Sequence, residues 1–209
     1  MERTPPKFAG LESADFHRAF MRHFCLNGPV KVEDVTRMTD LTKPEVFRKF
    51  VAMEYLYETI INVAGLSLAK AFKGMEDIRN GKNDQRARVA AVLQTVADNA
   101  ECFEFLCLMS IPGAYKSRGS YRSHTFQPLH ATAAEWLGRL SERIAAEVRG
   151  STVLSPEDAT AIFAITRVVA QSVIHGLEDA RPMVDLLARV TTVGMSGLVK
   201  PATQAARLR

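Results

Sequence analysis

The helical spacing that ends near Met38 is restarted within a few residues by Thr42-Lys43-Pro44-Glu45. A restart this close leaves the backbone one solution: two short helices joined by a tight turn and packed at a steep angle. Thr42 at an N-cap with Glu45 three residues on is a capping box. Pro44 falls in the first turn, where the amides have no intrahelical partner and its missing N–H costs little. On the near side of the turn, Val32, Val35 and Met38 share one side of the first helix. On the far side, Val46, Phe47 and Phe50 give the second helix its apolar contacts. The expected inner seam is Val32, Val35, Met38, Leu41, Val46 and Phe50, and the expected outer face carries Thr42, Lys43, Arg48 and Lys49.

The remaining pattern is helical as well. Phe16, Ala19, Phe20 and Phe24 recur at helical spacing until Asn27-Gly28-Pro29 ends the run. A longer helix is predicted from about 53 to 72, with Leu56, Ile60, Val63 and Leu68 among its apolar positions. Further helices are predicted at about 84–98, 100–110, 124–149, 156–176 and 182–199. Ser155-Pro156-Glu157-Asp158 marks the start of one of them: a cap, a proline at the first helical position, then acids in the first turn. No Asn-Gly or Asp-Gly hairpin and no long alternating run argues for strands. The expected fold class is all-α. With 209 residues, the chain can bury a core without disulfides or metals. Residues 1–10 are Pro-rich and polar and read as a disordered tail, and 201–209 read as a C-terminal tail.

Several function classes lack their signatures. No apolar run approaches the ~18 residues needed to cross a bilayer. The N-terminus has no apolar segment of the kind a signal peptide needs. The chain is therefore expected in the cytoplasm, with no membrane partner. Cys25, Cys102 and Cys107 contain no CxxC pair, so neither a disulfide framework nor a zinc knuckle is expected. Cys102 and Cys107 read as small buried hydrophobes, with a redox switch as the other reading. GxxxxGK, GxGxxG, HExxH, GxSxG and Glu-x-x-His patterns are all missing. His17, His23 and Cys25 fit no common metal spacing. No catalytic residue, metal or cofactor is expected, and a helical-bundle enzyme is the least supported class.

Two short helices across a tight turn are also the geometry with which proteins read DNA: the first helix braces and the second offers its first turn to the major groove. The net charge of +4 and pI of about 9.1 suit a polyanionic partner. Residues 1–50 carry nine Lys/Arg against seven Asp/Glu, so binding through phosphate neutralisation should be modest and salt-sensitive.

The stretch from Val32 through Phe50, preceded by Phe24 and Gly28, resembles the helix-turn-helix of the TetR family of transcriptional regulators. The similarity spans roughly residues 13–62 and continues beyond as an undistinguished helical body. Phe47 stands where that family has a phosphate-contacting Tyr, and Lys49 where it has His, which preserves a phosphate donor. Asp40 replaces a Gly, and Ala52 and Met53 replace a cap residue and a phosphate-binding Lys. The resemblance implies a DNA-binding domain at 11–55 and a ligand-binding and dimerising body at 56–200. It also implies contact with double-stranded DNA through Lys31, Thr42, Lys43, Pro44, Phe47, Arg48 and Lys49. The implied function is a homodimeric regulator, a repressor released from a pseudo-palindromic operator by a small-molecule inducer. The departures keep a second reading open, in which a TetR-like fold has lost specific DNA binding and works through protein contacts.

Within the body, Phe103, Leu106, Met109, Phe126, Leu129 and Trp136 are candidates to line a ligand pocket between helices, with plain core packing as the competing reading. Lys116, Arg118, Arg122 and His124 cluster between two predicted helices, where they are either an anion-receiving group or a solvated loop. The last two helices are apolar on more than one face, as a fully buried or partner-sharing helix is. The resemblance assigns them to a dimer interface that includes Ile162, Ile165, Val169, Val173, Leu186 and Val190.

Overall fold

The computed structural model describes residue 8 and residues 10–75, 85–112, 127–149, 156–176 and 184–189. The chain is all-α over these residues, with α1 at Ala14–Asn27, α2 at Val32–Met38, α3 at Lys43–Lys49 and α4 at Met53–Gly74. The body adds α5 at Gln85–Asp98, α6 at Ala100–Met109, α7 at Gln127–Arg149 and α8 at Pro156–Ile174, with further helical residues at 184–189. Extended pairing is limited, among the described residues, to one isolated parallel bridge between Phe8 and Thr39.

Local chemistry sets most boundaries. The Ser13 hydroxyl accepts from the Phe16 amide at 3.1 Å and starts α1. Gly28, at φ 86°, ends it in a conformation that side chains other than glycine rarely adopt. Pro156 opens α8 as predicted, and α4 begins at Met53 as predicted. The division at 55/56 falls inside α4, so the helix that follows the α2–α3 pair is itself part of the body.

The core is continuous across that division. Phe16, Phe20 and Phe24 of α1, Tyr57 of α4 and Phe105 of α6 are all buried in one cluster. Their rings meet edge-on: Phe20–Tyr57 centroids lie 5.1 Å apart, Phe24–Phe105 5.0 Å and Phe20–Phe105 6.3 Å. Such pairs add about 0.5–1.5 kcal/mol beyond the area they bury. The Tyr57 hydroxyl also accepts from the Val30 amide at 2.6 Å and donates to the Val30 carbonyl at 3.1 Å. It thereby pins the α1–α2 link to α4. The α6 helix is the hub, packing on α1, α4, α7 and α8. It buries Ala100, Phe103, Glu104, Phe105, Leu106, Cys107 and Met109, nearly its whole circumference.

The α6 helix also carries a charge into this core. The Glu104 carboxylate, buried, accepts from Nε and Nη2 of Arg167 at 3.1 Å each and from Gln171 Nε2 at 3.0 Å. This fork joins α6 to α8, and the same bonds raise the Arg167 pKa. The N-terminal segment is also less free than its composition suggests. Leu11 is fully buried, and the Phe8 amide donates to the Met38 carbonyl at 2.8 Å. Within the expected tail at 1–10, the Phe8 amide finds an acceptor at the end of α2. The other residues of that tail up to 7, and the tail at 201–209, lie outside the described residues.

Candidate nucleic-acid interface

The α2–α3 pair is built on a small buried seam. Val35 and Val46 are fully buried, and Val32, Met38, Leu41 and Phe50 pack against the core as partly buried neighbours. The turn between the helices is held by Thr39, also fully buried. Its hydroxyl donates to the Val35 carbonyl at 2.9 Å and accepts from the Leu41 amide at 3.3 Å. At the start of α2, Asp34 accepts from the Lys31 amide at 2.8 Å and from the Arg37 guanidinium. At the start of α3, Glu45 Oε2 accepts from both the amide and the hydroxyl of Thr42 at 2.7 Å. The backbone half of the capping box is therefore formed, while the Thr42 hydroxyl turns to Glu45. These two bonds hold the Glu45 carboxyl below its ordinary pKa.

The outer surface follows from that seam. Lys31, Thr42, Lys43, Pro44, Phe47, Arg48 and Lys49 are all exposed. In α3 only Val46 is buried, and the helix packs mainly on α2. The cations are not equivalent. Lys43 Nζ lies 2.6 Å from Glu33 Oε1 of α2, and Lys49 Nζ lies 3.2 Å from Glu12 Oε1. The Arg48 side chain has no ion pair or hydrogen bond to a described residue; its charge acts on Glu45 of its own helix. Lys31 lines an open groove of about 610 Å³ with His23, Asn27, Pro29, Glu33, Asp34 and Arg37. Lys49 lines another, of about 380 Å³, with Phe50, Val51, Tyr55, Glu58, Thr59 and Asn62. Beside it, Val51 is 83% exposed, Tyr55 57% and Phe47 43%.

No family model matches the chain, and no curated protein and no solved structure is significantly similar to it.

The other candidate residues fall in different places. Phe103, Leu106 and Met109 are fully buried and Leu129 nearly so, all within the central cluster. Phe103 packs on Phe163 at 5.4 Å between centroids. Trp136 is half-buried: its indole N–H donates to Asn62 Oδ1 at 3.1 Å, and the Arg139 guanidinium sits 5.5 Å from its ring centroid. Phe126 and the cluster Lys116, Arg118, Arg122 and His124 lie outside the described residues.

The expected dimer residues divide. Ile162 and Val169 are buried inside the single chain, so they are not surface available to a partner. Because α8 is apolar around much of its circumference, periodicity does not reveal its outward face. That face carries Ala161, Ala164 and Val168. Ile165 and Val173 are half-buried, Leu186 is 59% exposed, and Val190 lies outside the described residues.

Burial raises all three thiols: Cys102 to about 11, Cys107 to about 12, and Cys25 further still, with Glu104 adding to the effect at Cys25 and Cys107. They stay protonated near neutrality, as small hydrophobes do and reactive thiolates do not. No group of three or more His, Cys, Asp or Glu among the described residues is arranged to hold a metal ion. None of the described helices is long and apolar enough to cross a membrane.

Sequence reasoning missed four features: Glu33 and Glu12 as partners of the α3 lysines, Tyr57 as the tie to Val30, and Phe8 against Met38. All but Phe8–Met38 would need partners from different helices or loops to be known in advance. The apolar Phe8, beside the prolines, was the one available signal.

Proposed function

We propose that the chain is a homodimeric, DNA-binding transcription regulator of TetR-like plan, a repressor whose operator is released when a small molecule binds the helical body. The observation that carries this reading is α3: one buried valine anchors it, and Thr42, Lys43, Pro44, Phe47, Arg48 and Lys49 face solvent together. A bracing helix, a turn locked by a buried threonine, and a second helix with a polar, cationic outer face are what insertion into a major groove requires. Thr42 and Lys43, in the first turn, are placed to meet base edges; Arg48 and Lys49, in the last, to meet phosphates. The exposed apolar residues Val168 and Leu186 suit a two-fold contact that would present two heads to a pseudo-palindrome. An inducer would act by favouring a conformer whose heads no longer match the half-site spacing.

Selection of bound duplexes from a random pool, at two salt concentrations, tests this. An enriched pseudo-palindrome supports the reading and supplies the operator; no enrichment at either salt concentration overturns it.

A second reading has its own observation. Phe47, Val51 and Tyr55 are exposed, and Lys43 and Lys49 are already paired with carboxylates. A surface of that kind also suits a protein partner. The logarithmic salt slope of duplex binding separates the two: a flat slope favours the protein partner, a steep one DNA.

A further inference from the structure

We infer that Glu33 is a specificity-determining positioning residue, which acts through Lys43 to make the head reject duplexes of the wrong sequence. The inference rests on the DNA-binding reading and adds to it a residue that never has to touch a base.

The argument begins with geometry. Lys43 is the first residue of α3, the position from which a side chain can reach a base edge. Its ammonium is held at 2.6 Å by Glu33, ten residues earlier and on the other helix of the pair. Both side chains are about half exposed, so the contact forms at the surface where DNA would lie. The Glu33 backbone is anchored in α2, where its carbonyl accepts from the Thr36 hydroxyl at 2.9 Å, so its carboxylate approaches Lys43 from a fixed point of attachment. The Lys43 ammonium is the main reason its carboxyl sits below the ordinary range, so Glu33 is charged at neutral pH.

Two consequences follow. A free lysine tail samples many rotamers and finds a phosphate from most of them; a lysine held by a carboxylate samples few. Glu33 thus orders Lys43 before DNA arrives. It also imposes a charge on whatever replaces it. A duplex that offers Lys43 only a phosphate brings that phosphate beside Glu33, and like charges oppose the exchange. A duplex that offers acceptors at a base edge, such as O6 and N7 of guanine, lets Lys43 extend away from the carboxylate towards the groove. Glu33 therefore weakens binding everywhere, and more so at the wrong sequence, which is how specificity arises from a repulsive element. Lys49 provides the contrast. Its partner Glu12 is 85% exposed at 3.2 Å, a looser pair at the other end of α3.

The test uses the full chain, a duplex recovered by selection and a scrambled duplex of equal length. Glu33→Gln keeps the shape and removes the charge. Exposed pairs of this kind are worth roughly two- to fivefold in an equilibrium constant. Glu33→Gln is expected to bind the scrambled duplex about two- to fivefold more tightly and the selected one by less than about twofold, so the specificity ratio falls as affinity rises. The salt slope on the scrambled duplex should steepen by about one, the signature of a further phosphate neutralised by a released lysine. Glu33→Asp, which keeps the charge, should restore most of the ratio. In a Lys43→Met background, Glu33→Gln should change both duplexes by the same factor, because the route through Lys43 is gone. If the wild type discriminates between the duplexes but Glu33→Gln leaves the ratio unchanged, the role of Glu33 is refuted while the DNA-binding reading stands. If the wild type binds neither duplex, both fall together.

Discussion

Two short helices of this chain, α3 and α6, are put to opposite uses. In seven residues α3 buries one side chain, Val46; in ten residues α6 buries seven. Fully burying a large apolar side chain stabilises a fold by about 1.5–3 kcal/mol, so α6 helps to hold the molecule together and α3 is carried by it. The difference teaches where each kind of mutation should register. Changes in α6 and its neighbours should appear in unfolding and only indirectly in binding. Changes on the outer face of α3 should appear in binding while the melting curve hardly moves.

The largest expected effect breaks the comparison from the α6 side. Phe105 is fully buried and meets the edges of both Phe20 and Phe24. Phe105→Ala removes the ring that joins α1 to α6 and is expected to cost about 3–5 kcal/mol in urea unfolding. A loss below ~1 kcal/mol would mean that α1 does not depend on α6, and that the head and body are more separate than the continuous core implies.

The next effect concerns α4, which runs from the head into the body. Gly65 lies against the ring of Trp136, the single tryptophan of the chain. A Cβ at Gly65 would come within 2.6 Å of Trp136 Cε3 and closer still to Cδ2 and Cε2. Two effects compete in Gly65→Ala. Helix propensity favours alanine by about 1 kcal/mol, and overpacking costs about 1–3 kcal/mol. The clash should win, because the ring is rigid and its N–H is fixed on Asn62. A net loss of up to about 2 kcal/mol is expected, together with a shift in tryptophan emission as the indole is displaced. A more stable variant with unchanged emission would show that the indole does not rest as tightly on Gly65 as this packing requires.

Arg48→Ala sharpens the comparison from the α3 side. Arg48 has no ion pair to a described residue, so its removal should alter stability by less than about 0.5 kcal/mol. Duplex binding should weaken by similar factors for every sequence, and the salt slope should lose about one unit. A sequence-dependent loss would move Arg48 from the phosphates to a base edge.

Which parts of this were legible in the sequence depends on the range of the interaction. Caps and breakers act within a turn of helix, so Gly28 after α1, Pro156 at α8 and Thr42 with Glu45 at α3 placed those boundaries directly. The α2–α3 seam was legible because Val35 and Val46 are among the few apolar residues of two short, largely polar helices. The pairing of Lys43 with Glu33 was not, since ten residues and a turn separate them and no local rule links them. Val30 and Tyr57, or Gly65 and Trp136, are linked only once α1, α4 and α7 have been packed. Nor could spacing say which side of α8 faces out, because Ile162, Val168 and Val169 are equally apolar and only packing makes Val168 the exposed one.

The smallest expected effect asks whether acid loosens the molecule where α1 holds the segment before it or where α1 meets α2. His17 is 8% exposed, and its Nε2–H donates to the Leu11 carbonyl at 2.8 Å. Burial lowers its pKa from 6.5, against the opposing pull of the Leu11 carbonyl and Glu12. With the folded pKa below the unfolded one, the unfolded chain binds more protons across the interval between them, so stability rises with pH there. Stability should therefore fall as pH drops through about 6.5 and level off once pH is below the lowered folded value. His23, beside Asp34 in α2, is lowered for the same leading reason and adds a contribution of the same sign. His17→Gln, which can still donate to Leu11, should remove part of the melting-temperature decline between about pH 7.5 and 5 and leave the part due to His23. If the two melting curves run parallel across that interval, His17 is not the acid-sensitive group, and the sensitivity belongs to the His23–Asp34 contact between α1 and α2.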